Sequence, residues 1–193
     1  AFDAARAVFD QVDDALGEPL SRVMFEGPEE ELVLTRNAQP ALMAVSLAVV
    51  RVLEAESGKT LGDMAHYVAG HSLGEYSALA AARALDVADA AKLLRLRGEA
   101  MQSAVPVGEG AMAALLGVSL ETAHEIAEEG RADGGVCDVA NDNADGQVVI
   151  SGAKTAVERA VAAAAGKNVR KSVILPVSAP FHCGLMAPAA DAM

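Results

Sequence analysis

Aromatic character is scarce in this chain: only 3% of its 193 residues are aromatic, and tryptophan is absent. With alanine abundant, that composition suits helices packed closely on a sheet. Cysteine is nearly absent as well. Cys137 and Cys183 are the only two, which excludes a disulfide framework and points to a reducing compartment, expected to be the cytoplasm. Neither stands in a Cys-x-x-Cys spacing, so no metal site is expected from them. Positive charge is in deficit, with 15 Lys and Arg against 27 Asp and Glu and a formal charge of −12. That balance argues against nucleic acid or an anionic membrane surface as the main partner, and solubility accounts for most of the acidity. Long apolar runs are missing too. The longest, Pro40 to Val50, stops at Arg51, short of the roughly 20 residues a membrane-spanning helix needs. No signal peptide is visible, and the chain opens on Ala1 rather than on methionine.

What is present is a chain 52% hydrophobic, long enough to bury a core in one or two domains. Phe2, Ala5, Phe9, Val12 and Leu16 recur at helical spacing, and Gly17 and Pro19 end the helix they define. Asn37-Ala38-Gln39-Pro40 opens a second helix, with Pro40 well placed in its first turn. Residues Ala41 to Leu53 are apolar nearly all round, so this helix is expected to be buried. Another helix, capped by Asp86, runs from Val87 to about Ser103. After Pro106, Gly108 and Gly110 the rhythm changes. Strands at Ala111–Leu116, Val136–Ala140, Gln147–Ser151 and Arg170–Val177 alternate with helices at Leu120–Arg131 and Lys154–Ala165. Asn141 to Gly146 reads as a polar turn. This βαββαβ order is that of a ferredoxin-like unit. The expected fold class is therefore α/β, with a large subdomain over 1–106, a ferredoxin-like insertion over 107–177, and a return to the large subdomain over 178–193.

The chemistry centres on Gly70-His71-Ser72-Leu73-Gly74, a Gly-x-Ser-x-Gly signature between a strand-like run, Tyr67-Val68-Ala69, and an alanine-rich helix, Leu73 to Arg83. Small residues on both sides allow a sharp turn, from which a strained serine projects its hydroxyl at a helix N-terminus. The helix dipole and the Leu73 backbone N–H can both stabilise a developing oxyanion. The plainer reading of Ser72 is a helix cap, but strand, turn and helix together favour a nucleophile. A serine alcohol also needs a base. Of the four histidines, His66 and His124 read as surface or structural residues. His71 adjoins Ser72, with its side chain diverging from the hydroxyl, and suits a packing role. His182 follows a strand end in Val177-Ser178-Ala179-Pro180-Phe181-His182-Cys183, a loop where a functional side chain belongs.

Arg97 is the most informative charge. Val87, Ala90, Leu94, Met101 and Ala104 share one helix face, and Arg97 falls in its middle, while Lys92, Arg95 and Glu99 lie on the other side. A guanidinium aimed inward keeps its proton and must meet an anion. That anion is either a buried carboxylate of the protein or a carboxylate carried by the substrate, which the planar fork would bind bidentately.

These segments carry a family resemblance. Gly70-His71-Ser72-Leu73-Gly74-Glu75, Arg97-Gly98 before Met101-Gln102, Gln147-Val148-Val149-Ile150-Ser151-Gly152 and Pro180-Phe181-His182-Cys183 closely resemble the malonyl-CoA:acyl carrier protein transacylases of type II fatty acid synthesis. Asn37-Ala38-Gln39-Pro40-Ala41-Leu42 is similar to another segment of that family, and the match spans nearly the whole chain. The resemblance implies an α/β-hydrolase-like core with a parallel sheet and an inserted ferredoxin-like subdomain. It implies Ser72 as the acylated nucleophile, His182 as the base oriented by a backbone carbonyl, and the Leu73 N–H as half of the oxyanion hole. Arg97 would hold the malonyl carboxylate. Phe181 would narrow the acyl pocket toward malonyl, and Met101 and His71 complete the candidate substrate-binding set. Malonyl-CoA and acyl carrier protein are the implied partners, and no cofactor is expected, since the coenzyme A thioester is itself a substrate. Family members are roughly a hundred residues longer, so the chain reads as the central part of a longer polypeptide.

Docking an acidic carrier protein against a chain of this charge calls for a local basic patch, with Lys92 and Arg95, or Lys167, Arg170 and Lys171, as candidates. Three other readings stand beside this one. The first is a serine thioesterase or hydrolase with its acid drawn from Asp138, Asp142 or Asp145. The second is a carrier-binding module without turnover. The third is an acyltransferase domain of a polyketide or multifunctional fatty acid synthase.

Overall fold

The computed structural model describes residues 2–193, which divide into two compact units, the first ending at Glu99 and the second starting at Ala100. The first unit is helical: α1 (Asp3–Leu16), α2 (Leu20–Glu26), α3 (Glu29–Leu32), α4 (Thr35–Ser57), α5 (Leu61–Met64), α6 (Gly74–Ala81) and most of α7 (Val87–Ser103). Val8 and Val12 of α1 pack with Met43, Ala44, Leu47 and Ala48 of α4, and with Ala80, Ala90, Ala91 and Leu94. Alanines at so many contact positions let the helix backbones approach closely. Gly17 closes α1 in the left-handed region at φ +66°, a conformation open to glycine at no steric cost.

Two expectations for α4 need correcting. The helix begins at Thr35, so Pro40 lies inside it rather than in its first turn, where its missing N–H removes one helical bond. Nor is α4 buried all round: Leu42, Val45, Val49 and Leu53 remain 45–55% exposed, because its partners in the unit gather on the opposite face. At 23 residues α4 is longer than the apolar run foretold, and by length and composition alone it could cross a membrane. Its buried face is instead the centre of this unit's core.

Tyr67-Val68-Ala69, read as a strand, belongs to no ladder; the segment has no regular assignment, and Tyr67 is 93% exposed. A strand needs a hydrogen-bonded neighbour, and among the described residues of this unit none is present.

The second unit contains β1 (Gly110–Leu116), α8 (Leu120–Gly130), β2 (Cys137–Ala144), β3 (Gln147–Ala153), α9 (Lys154–Ala164), β4 (Lys171–Ile174) and α10 (Ala187–Asp191), with a 3₁₀ turn at Gly184–Met186. The sheet order is β2-β3-β1-β4, with every neighbouring pair antiparallel. Ala113 faces Ile150 on one side and Ile174 on the other. Alternation along β1 sends Ala111, Ala113 and Leu115 against α8 and α9, while Met112 and Ala114 face the other way, toward Leu175 and Phe181. The Ser119 hydroxyl caps α8 by accepting the Thr122 N–H at 3.2 Å.

The polar turn expected at Asn141–Gly146 is shorter than that. β2 continues to Ala144 through irregularities at Val139/Asn141 and Asp142/Ala144, which let a polar segment stay paired. β4 is correspondingly shorter than expected, ending at Ile174.

Cys137 is fully buried between α8 and the sheet, and burial pushes its thiol up to about 11. The unfolded thiol ionises near its ordinary value, so this contribution to stability is complete below that value and fades as pH rises toward the folded one. A disulfide-exchange reagent at about pH 8 should therefore leave Cys137 unmodified in the native protein and react once denaturant is added. Native-state modification as fast as that of an exposed thiol would contradict the packing described.

Candidate active site

The serine turn is built by steric exclusion. A Cβ placed on Gly70 would lie 1.8 Å from the Gly74 carbonyl oxygen, so no other residue fits. Gly74 meets no such limit, since a Cβ there has open space. Between them Ser72 takes φ +54°, a left-handed conformation that costs a non-glycine residue about 1–2 kcal/mol. The turn is closed by Gly74 N–H on the His71 carbonyl at 2.9 Å, Glu75 N–H on the Ser72 carbonyl at 3.2 Å and Tyr76 N–H on the Leu73 carbonyl at 3.1 Å. Leu73 stands at the N-cap of α6, so its amide sits at the positive end of the helix. His71, His66 and His124 are exposed.

Arg97 reaches this serine: its Nη2 donates to Ser72 Oγ at 3.0 Å, and its Nη1 donates to Gln39 Oε1. The reason lies one residue on. A Cβ on Gly98 would come within 2.5 Å of the Arg36 Cα and 2.7 Å of the Thr35 carbonyl oxygen, so α7 crosses the first turn of α4 backbone to backbone. That crossing aligns two pairs with the same offset, Arg95 on Asn37 and Arg97 on Gln39. Gln39 is 4% exposed and is itself fixed, its Nε2 donating to Thr35 Oγ1 at 2.8 Å. Burial draws the Arg97 pKa down, opposed by the nearby Tyr76 and Glu75; the guanidinium stays protonated. Among the described residues, no carboxylate lies within ion-pair distance of it. A half-buried cation held by a hydroxyl and an amide is ready for an arriving anion.

In the second unit, His182 sits at φ +59° in the turn between Ser178 and Met186. Gln102 Nε2 donates to the Ser178 carbonyl at 3.2 Å, and the buried Pro180 covers Gly110, where a Cβ would lie 2.3 Å from Pro180 Cγ. Phe181 packs on Met101, Val105 and Met186 on one side and on Met112, Ala114 and Val149 on the other. Met101 is therefore a wall behind Phe181, 7% exposed.

Sequence reasoning placed Arg95 outward. Its side chain is only 12% exposed and it also pairs with Glu18 at 3.1 Å, because the close crossing at Gly98 brings Asn37 within its reach. Lys167, offered for a basic patch, is held by Glu125 and Glu129 at 2.9 and 3.0 Å, which leaves Lys92, Arg170 and Lys171 as the exposed candidates. The partnership of Gln39 with Arg97 was missed. Its signal was there, as two amides, Asn37 and Gln39, at the head of an otherwise apolar helix. Among the described residues, no cluster of three or more His, Cys, Asp or Glu is gathered to hold a metal ion.

Comparison with known proteins gives one consistent picture. The acyl transferase domain family matches over residues 1–193. The chain is 47% identical over 188 residues to the malonyl CoA-acyl carrier protein transacylase of Bacillus subtilis, covering 97% of this chain and 58% of that protein. It superposes with TM-score 0.94 and 57% identity on the acyl-carrier-protein-S-malonyltransferase of Bartonella henselae, covering 99% of this chain and 60% of that one. A solved complex of a type II PKS acyl-carrier protein with its malonyl-transacylase matches at TM-score 0.92 and 43% identity, covering 98% of this chain and 60% of that one. The chain thus spans under two thirds of the length of these relatives.

Substitutions at two positions test the local geometry. Ser72→Gly and Ser72→Ala both delete the hydroxyl, but glycine relieves the left-handed strain and should be the more stable by about 1 kcal/mol in denaturant melts. Equal stabilities would refute the strain. Gly98→Ala should destabilise by about 1–3 kcal/mol, since backbone atoms of α4 must move to admit the methyl group; an unchanged melting temperature would contradict the close crossing.

Proposed function

The chain belongs to the acyl transferase domain family, and we propose that it moves a malonyl group from coenzyme A to the phosphopantetheine thiol of an acyl carrier protein, in cytoplasmic fatty acid biosynthesis. The observation that carries this reading is the Arg97 guanidinium 3.0 Å from Ser72 Oγ. A cation so close to a strained serine suits an acyl group that ends in a carboxylate. Resemblance of the chain to proteins named malonyl transacylases, at 47% identity over 97% of its length, supports the same substrate.

In the first half-reaction, Ser72 Oγ attacks the thioester carbon while His182 takes the hydroxyl proton. The carbon–sulfur bond breaks, and the proton passes to the departing coenzyme A sulfur. In the second, the carrier thiol gives its proton to His182, its sulfur attacks the malonyl ester, and Ser72 Oγ recovers a proton as it leaves. The Leu73 N–H supports the oxyanion of each tetrahedral intermediate. Arg97 holds the malonyl carboxylate through two parallel bonds, exchanging the Gln39 and Ser72 oxygens for those of the substrate. Phe181, backed by Met101, narrows the acyl pocket, and His71 borders the substrate. No cofactor enters this scheme, because coenzyme A arrives as part of the substrate.

The finer fold assignments belong to the same reading. The antiparallel order β2-β3-β1-β4 with two covering helices supports a ferredoxin-like subdomain over 107–177. The tight turn from residues 65–70 into α6 supports an α/β-hydrolase-like core over 1–106 and 178–193; a parallel sheet in that core is what the family resemblance implies. The hydrolase reading would draw its acid from Asp138, Asp142 or Asp145; Asp138 is engaged by Arg131 and Gly184, and Asp142 and Asp145 are exposed. A type II polyketide carrier would be served by the same chemistry.

Intact-mass analysis after mixing the full-length enzyme with malonyl-CoA should show one malonyl adduct, lost in Ser72→Ala; no adduct would overturn the reading. Arg97→Ala should depress malonyl transfer far more than acetyl transfer, since leaving such a charge unpaired costs roughly 2–5 kcal/mol. Equal loss for both donors would remove Arg97 from the substrate site.

A further inference from the structure

The turn that carries His182 is pinned by a carboxylate distant in sequence. Gly184 N–H donates to Asp138 Oδ2 at 2.8 Å, while Arg131 Nη2 donates to Asp138 Oδ1 at 2.9 Å. Arg131 is in turn anchored to β2, its Nε donating to the Cys137 carbonyl at 2.6 Å. We infer that Asp138, braced by Arg131, is a positioning residue for the acyl transfer proposed above: through the Gly184 N–H it holds the His182 backbone in its left-handed turn and thereby aims the imidazole. The inference rests on the reading of His182 as the base.

The physical case starts from strain. A non-glycine residue at φ +59° is retained only when its surroundings over-determine it. On the N-terminal side, the buried ring of Pro180 seats on Gly110, and Cys183 Sγ–H donates to the Pro180 carbonyl at 3.1 Å. On the C-terminal side, the Gly184 N–H bond to Asp138 ties residue 184 to the sheet. Gly184 lies two residues past His182, so freeing its N–H frees the peptide planes that set the imidazole's direction. The carboxylate suits the task because a charged acceptor makes a shorter and stronger bond than a neutral one.

Magnitudes separate aiming from stability. The Arg131 and Asp138 side chains are 43% and 33% exposed, so solvent screens their attraction and the pair adds little to folding. A displacement of about 1 Å at a reacting group can nonetheless cost on the order of 10²-fold in rate. Loss of the clasp should therefore appear in turnover rather than in the melting temperature.

The test compares Asp138→Ala, Asp138→Asn and Arg131→Ala in the full-length enzyme, with His182→Ala measured alongside. Asp138→Ala should lower kcat by about ten- to a hundredfold, with KM for malonyl-CoA and Tm nearly unchanged. Asp138→Asn should recover most of that loss, because its amide oxygen still accepts from Gly184. Arg131→Ala should fall between the two. Wild-type kcat in Asp138→Ala, an asparagine variant no better than the alanine one, or a loss confined to KM would overturn the clasp. His182→Ala distinguishes the two levels. If it is inactive while Asp138→Ala is unimpaired, only the clasp fails; if it retains full transfer, the assignment of His182 as base fails first.

Discussion

A guanidinium half-withdrawn from water beside a serine hydroxyl is the constraint on which the proposed chemistry depends. Desolvation draws the Arg97 pKa down, and it donates hydrogen bonds to two neutral oxygens, those of Gln39 and Ser72. A protein intent on stability alone would have supplied a carboxylate, or an apolar side chain of similar volume. Under the proposed chemistry, a substrate carboxylate would complete the pairing of this cation. Everything around Arg97 serves to hold it still. Gly98 lets α7 touch the α4 backbone, Gln39 fixes one arm of the fork, and Thr35 fixes Gln39.

The same economy marks the two proposed reacting residues. Ser72 and His182 both occupy left-handed backbone, and each is held by glycine on one side and firm contacts on the other. At Ser72 the closeness of Gly70 to the Gly74 carbonyl leaves the chain no other path. At His182 the buried Pro180 and the Asp138–Gly184 bond bracket the turn. Such backbone strain is tolerated where the direction of a side chain matters more than the last kilocalorie of stability.

Alanine explains how so plain a sequence supports this. In the second unit Ala113, Ala123, Ala127, Ala156, Ala160 and Ala164 are buried between the sheet and its helices. Small side chains bring helix and sheet close and leave little freedom for rearrangement. The result is a firm sheet, and its opposite face carries Phe181 on Met112, Ala114 and Val149. Aromatic residues are few because most of the core is made from backbones in near contact.

Much of this was legible in the residue order. Hydrophobic periodicity marked α1, α4 and α7 and the alternation of strands with helices after Gly110, because period and burial are local properties of the chain. Gly-x-Ser-x-Gly announced a strained turn, and an arginine on an apolar face announced an inward cation. Periodicity could not tell that α4 keeps one apolar flank open, that Tyr67-Val68-Ala69 has no ladder partner here, or that Arg95 turns inward to Asn37. Nor could it pair Gln39 with Arg97, or Asp138 with Gly184. Those outcomes depend on which distant backbones touch, and contact is settled by three-dimensional packing rather than by spacing along the chain.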